Sequence, residues 1–262
     1  MKNSNATPVN FIKNEWRIFL TAVMFYTRIP CPAWVGYSEE RLNQSSRYFP
    51  LVGLVVGGLT AAVFAAAHLV FPMPVAVLLS LMAGIYATGA FHEDGLADFF
   101  DGFGGGWEKA DILKIMKDSR VGTYGVIGLG MMVALKFLLL NAIGPALVPS
   151  ALIAGHSLSR FFAGSFLVTH DYVREDRLSK VKPLATHMSR RTLAVSALWC
   201  LLPLPGLISW GLAYGLGIML LIRYLMGRYL LKRIGGYTGD CLGAAQQMLE
   251  VGFYLGMALR WS

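Results

Sequence analysis

Charged side chains are scarce in this 262-residue chain. Asp, Glu, Lys and Arg make up 15% of it against 55% hydrophobic residues, a shortage that excludes a water-soluble enzyme of ordinary composition. No Lys, Arg, Asp or Glu occurs in the 45 residues 48–92, enough for two passes of about 20 residues across a hydrocarbon layer of about 30 Å. The 31 residues 192–222 are equally charge-free. Also missing is any polar block long enough for a separate soluble domain, so residues 1–262 read as one integral membrane domain. Cysteine is sparse: Cys31, Cys200 and Cys241 are odd in number and scattered, which indicates neither a disulfide framework nor a zinc site. The polar first ten residues lead into no cleavable-signal pattern.

The charges that are present sort by position. The net charge is +8, but the basic residues cluster beside apolar spans, where they orient a protein in the bilayer rather than bind nucleic acid. Hydropathy predicts an all-α polytopic protein with about seven transmembrane helices, near residues 48–71, 75–92, 121–141, 150–170, 192–209, 212–231 and 241–259. The segment 11–30 mixes apolar residues with Lys13, Glu15, Arg17 and Arg28, which suits an amphipathic helix in the interface. Uncharged turns alternate with charged connections (the N-terminal region, 93–120, 171–191 and 232–240), so the acidic segment 93–120 and the basic loop 171–191 are expected on the cytoplasmic side.

Chemistry is expected in the stretch His92-Glu93-Asp94-Gly95-Leu96-Ala97-Asp98-Phe99-Phe100-Asp101-Gly102. On a helix, Asp94, Asp98 and Asp101 fall within a sector of about 60°. Three like charges on one face repel unless neutralised, and hard oxygen ligands of this kind suit Mg²⁺, or Mn²⁺, that also binds phosphate. A solvated acidic helix end is the plainer reading, but it leaves the interleaved Phe99, Phe100 and Phe103 and the glycine-rich 102–106 stretch unexplained. His92 is either a general base or a structural group. Arg120 is either a two-pronged phosphate ligand or a topology anchor. Asp240, among glycines, is either a metal or substrate ligand or a helix N-cap. Arg160, Arg223 and Glu250 lie within apolar spans, where ionisable residues are functional candidates by default. Lys136 and Arg223 either snorkel or pair structurally, and His68 and His156 read as satisfied helix residues.

Five ordered segments together resemble the cobalamin synthase family, the adenosylcobinamide-GDP ribazoletransferases, over the whole chain. They are Thr27-Arg28-Ile29-Pro30, Phe49-Pro50-Leu51-Val52-Gly53, His92-x-Asp94-Gly95-Leu96-Ala97-Asp98-x-x-Asp101-Gly102, Asp118-Ser119-Arg120-x-Gly122-Thr123 and Thr238-Gly239-Asp240-x-Leu242-Gly243-Ala244. Glu93 is a variable position of that family and is not counted as a ligand. The resemblance implies a multi-pass enzyme of the bacterial inner membrane in which α-ribazole, or its 5'-phosphate, displaces GMP from adenosylcobinamide-GDP with Mg²⁺ as cofactor. Combined with the residue reading, it makes His92, Asp94, Asp98, Asp101, Arg120 and Asp240 catalytic and sets Arg28, Asp118, Arg160 and Glu250 on substrate. Asp94, Asp98 and Asp101 are the expected metal ligands. The expected partners are the two substrates and the lipid bilayer, with a second copy of the chain or other cobalamin-assembly enzymes left open. A head-group phosphotransferase of the CDP-alcohol type shares the Asp-rich membrane edge. A transporter fits less well, because the external turns carry no charge.

Overall fold

The computed structural model describes residues 8–173, 187–207 and 209–259. Most of the basic loop expected at 171–191 therefore lies outside the described residues. The rest is helical apart from loops and one isolated bridge between Tyr172 and Tyr237. Helices run α1 Pro8–Tyr26, α2 Glu39–Ser45, α3 Phe49–His68, α4 Met73–Thr88, α5 Phe91–Gly105 and α6 Lys109–Ile115. They continue as α7 Thr123–Ile143, α8 Val148–Gly164, α9 Phe166–Thr169, α10 Arg190–Leu201, α11 Trp210–Ile234 and α12 Gly239–Ala258.

Among the described residues four helical segments are long and apolar enough to cross a membrane: Glu39–His68, Thr123–Ile143, Val148–Thr169 and Trp210–Ile234. The pair α4 and α5, bent by 89°, is a fifth if counted as one broken span. Seven were expected, and the difference has physical causes. In place of the span 192–209 stands α10, whose 12 residues reach about 18 Å at 1.5 Å per residue. The helix in place of 241–259 is long enough, but Asp240, Gln246, Gln247 and Glu250 dilute it. Buried by protein along nearly its whole length, α12 needs no lipid-facing apolar surface.

Small residues let the helices pack closely. A Cβ at Gly57 would lie 2.7 Å from Ile153 Cα, and the backbone of His156 and Ser157 is just as close to Gly53, so α3 and α8 run antiparallel. Gly215 and Gly256 likewise set α11 against α12. The charged connections meet at one end of the bundle. There Arg233 Nη2 donates to Gly106 O at 2.8 Å and Tyr237 N to Asp171 O at 2.9 Å, while Arg28 N donates to Ala87 O at 2.7 Å.

α1 buries Ile18, Ala22 and Tyr26 and leaves Phe11, Ile12 and Trp16 exposed. Tyr26 stacks on Phe49, ring centroids 4.3 Å apart. Two of its charges are used by protein: Glu15 accepts from Arg47 at 3.0 Å and from Tyr48 at 2.6 Å, and Arg17 Nε donates to Val35 O at 2.8 Å.

Candidate active site

The site is built on a hinge. α4 stops because Gly89 turns left-handed at φ +65, returning its N–H to Ile85 and Tyr86. Ala90 follows at φ +59, a conformation that costs a residue with a Cβ about 1 kcal/mol or more. The strain is held by hydrogen bonds from Ala90 N to Ile85 O, 2.9 Å, and from Asp94 N to Ala90 O, 2.8 Å. Arg28 lies over this corner, so close that a Cβ on Gly89 would overlap its guanidinium.

The three aspartates of α5 share a sector as expected but not an environment. Asp94 is exposed and Asp98 half-buried, whereas Asp101 is 8% exposed. Both Asp101 oxygens are turned to the start of α7: Oδ2 accepts the Gly122 N–H at 2.6 Å and Oδ1 the Gly125 N–H at 2.8 Å. A helix N-terminus offers unpaired N–H groups and the positive end of the dipole, and Gly122 and Gly125 leave room for the carboxylate there. Asp101 thus anchors two helices, and its joint enclosure of a metal with Asp94 and Asp98 is not what the structure assembles. Among the described residues no three Asp, Glu, His or Cys side chains group as a metal cage. His92 is 2% exposed and stacks against Phe49 at 6.0 Å. Two residues from Asp94, it points about 200° away around the helix, so it does not join the carboxylates.

The backbone of Asp240 does come close to α5, at Gly95. The N-cap of α12 is Thr238, whose hydroxyl accepts from Cys241 N at 3.3 Å, so Asp240 occupies the first turn and is not the cap. A Cβ at Gly95 would sit 3.0 Å from Asp240 O and 3.4 Å from Gly243 Cα. The paired glycines bring Asp240 alongside the turn carrying Asp94 and Asp98. Asp118 and Arg120 form a two-pronged pair, Nε to Oδ1 3.0 Å and Nη2 to Oδ2 2.6 Å, reinforced by Arg120 N to Oδ1 at 3.1 Å. These hydrogen bonds from Arg120 hold the Asp118 carboxyl down to about 2. The pair is solvent-facing and two residues from Gly122, which Asp101 grips; it forms a rim.

Behind α5 lies a buried ionic cluster. Glu250 accepts from Lys136 at 3.0 Å, Gln246 at 2.6 Å and Tyr254 at 3.2 Å. Gln247 bridges, donating to Glu93 Oε1 at 2.9 Å and accepting from Lys136 at 2.7 Å. Arg160 Nη1 donates to His156 O at 2.9 Å and lies 3.1 Å from His156 Nδ1. Because a guanidinium only donates, that Nδ1 is the acceptor, and its 3.3 Å approach to Glu250 is a contact rather than an ion pair. Lys136 and Arg160 balance Glu93 and Glu250, the condition for burying charge. The structure therefore places Arg160 and Glu250, expected on substrate, in this cluster, where they line a small cavity shared with His92 and Glu93. Sequence reasoning passed over Glu93, Gln246 and Gln247. The available signal was two adjacent amides in an apolar segment beside Glu250. Arg223 is a structural pairing, donating to Ser165 at 2.7 Å and covering the Phe166 ring at 3.7 Å.

The donors at the outer edge are carboxylate oxygens. Such a set fits Mg²⁺ or Mn²⁺ in the form that uses one or two carboxylates and completes its shell with substrate phosphates and water.

Comparison with known proteins identifies the family of the chain. The family model described as cobalamin-5-phosphate synthase matches residues 18–258. A protein named adenosylcobinamide-GDP ribazoletransferase from Shewanella frigidimarina is 48% identical over 247 residues, covering 92% of this chain and 94% of its own length. Proteins of the same name from Shewanella woodyi and Shewanella amazonensis are 47% and 48% identical, covering 94% and 95% of this chain and 97% and 98% of their own. No solved structure matches.

Proposed function

Since the chain belongs to the cobalamin-5-phosphate synthase family, we propose that it joins adenosylcobinamide-GDP to α-ribazole, or its 5'-phosphate, releasing GMP and forming adenosylcobalamin or its 5'-phosphate. The relatives' name supplies the substrates. The observation that carries the chemistry is the solvent-facing carboxylate edge of Asp94 and Asp98 on α5, with Asp240 brought beside it by Gly95 and Gly243.

The 3'-hydroxyl of α-ribazole attacks the phosphorus attached to cobinamide; the new P–O bond forms as the bond to the GMP oxygen breaks. Bound Mg²⁺ supplies neutralisation of the pyrophosphate and the departing phosphate. Asp94 and Asp98 would hold it, with Asp240 as a further ligand or substrate contact. His92 faces the bundle, so a carboxylate of the outer edge is the better-supported acceptor of the hydroxyl proton. Arg120, presented at the rim by Asp118, and Arg28, laid over the hinge, are the cations that steady developing charge. Asp101 acts on the reaction by holding the 118–122 loop against α5.

The alternation of charged and uncharged connections supports a site on the cytoplasmic side of a bacterial inner membrane. The deciding experiment incubates purified protein with adenosylcobinamide-GDP, α-ribazole and Mg²⁺. GMP and adenosylcobalamin should appear in equal amounts, and Asp94→Asn should abolish both without lowering the melting temperature. Full turnover by that variant, or a product lacking the nucleotide loop, refutes the assignment.

A further inference from the structure

Glu93 sits between His92, turned into the bundle, and Asp94, turned out of it. A buried carboxylate is costly unless bonded and balanced. Here its Oε1 accepts from Gln247 at 2.9 Å, Gln247 accepts from Lys136 at 2.7 Å, and Lys136 lies 3.0 Å from Glu250. The chain of contacts crosses three helices, α5, α12 and α7.

Its location gives it a task. α5 leaves the bundle direction at a hinge of two left-handed residues, so the preceding helix does not dictate its roll. Asp101 fixes the far end on α7. At the near end Phe91 and His92 make ring contacts, which resist separation more than rotation. With side chains about 6 Å from the helix axis, a roll of about 20° would carry the Asp94 carboxylate about 2 Å, and displacements of about 1 Å already cost a reaction of this kind up to about a hundredfold.

We infer that Glu93 and Gln247 are positioning residues: their hydrogen bond, seated on Lys136, sets the roll of α5 and so the direction in which Asp94 and Asp98 meet the substrate phosphates. The inference rests on the reaction proposed above. It also accounts for an acid placed next to the site yet pointed away from it.

Gln247→Met and Glu93→Leu break the same bond from opposite ends, and both keep a side chain of similar length. In detergent-purified protein each should lower kcat by about tenfold or more, move the KM for α-ribazole less than about twofold, and raise the Mg²⁺ concentration giving half-maximal rate. Amide hydrogen exchange should quicken in residues 91–98 and stay unchanged in α8 and α11. The double variant should lose no more than the worse single one, because the bond can be broken only once. Losses that multiply in the double variant, or unchanged exchange over 91–98 in both singles, overturn the inference. Should Gln247→Met fail to fold, Glu93→Leu decides by the same readouts. Absence of turnover in the unaltered chain refutes the proposed reaction instead, and the exchange pattern still decides the positioning.

Discussion

Replacing Asp101 by Asn separates an anchor from a metal ligand. The carboxylate accepts two backbone N–H groups at the start of α7, at 2.6 and 2.8 Å. Asparagine keeps one acceptor oxygen and turns an N–H₂ toward the other amide, donor against donor. A hydrogen bond to a charged group contributes about 1.5–3 kcal/mol, and an anion at a helix N-terminus about 0.3–1 kcal/mol more. The substitution should therefore cost about 3 kcal/mol, a fall of roughly 6–12 °C in melting temperature at about 2–4 °C per kcal/mol. The assay is a thermal melt in detergent beside Mn²⁺ binding followed by electron paramagnetic resonance. An anchor loses melting temperature while Mn²⁺ affinity below the melt stays within about threefold. An unchanged melt with Mn²⁺ affinity down tenfold or more would return Asp101 to the ligand set and refute the reasoning.

Gly89→Ala should destabilise by at least about 1 kcal/mol, because φ +65 disfavours a Cβ and Arg28 occupies the space; a melt equal to that of the unaltered protein would contradict the hinge geometry. Asp118, held down to about 2 by Arg120, has a depressed pKa. The stabilisation it contributes is thus present above its ordinary value near pH 4 and lost only as pH falls through about 2. Any acid limb of activity between about pH 4 and 7 should then survive Asp118→Asn; a shifted limb would place the titrating group at Asp118 itself. Lys136→Met leaves Glu250 without its directly bonded cation, a loss of about 3–5 kcal/mol for a buried pair. Lys136→Met combined with Glu250→Gln should melt above the single variant, and strictly additive losses would argue against the pairing.

What the sequence made legible depended on range. The common sector of Asp94, Asp98 and Asp101 follows from helical spacing alone, but which of the three is buried depends on the start of α7 docking there, and no periodicity within α5 carries that. The cost of Glu250 in an apolar segment marked it for a partner. Its partner Lys136 lies in a different helix, and Gln247, the bridge to Glu93, looked like an ordinary amide. Discounting Glu93 as a ligand was consistent with its inward orientation but passed over its bonding. Asp240 was read as ligand or cap, and Thr238, two residues earlier, takes the cap. Seven spans were expected where four helical segments among the described residues, or five with the bent pair, are long and apolar enough to cross, because charge-free length is not crossing length. Charge-free residues 192–222 begin with the short α10 and a break before α11.

The burial of α12 bears on how the protein is made. Carrying Asp240, Gln246, Gln247 and Glu250, this helix is a poor substrate for insertion into lipid by its own hydrophobicity. By the time the ribosome delivers it, α7 and α8 have already been synthesised, and with them Lys136, His156 and Arg160. The counter-charges for Glu250, Lys136 and Arg160, are therefore in place before Glu250 arrives, with the neutral His156 beside them. α12 is recruited by a preassembled polar cleft rather than by the bilayer, so a lesion at Lys136 should surface first as a C-terminal segment left outside the membrane and degraded, before any defect in turnover is measured.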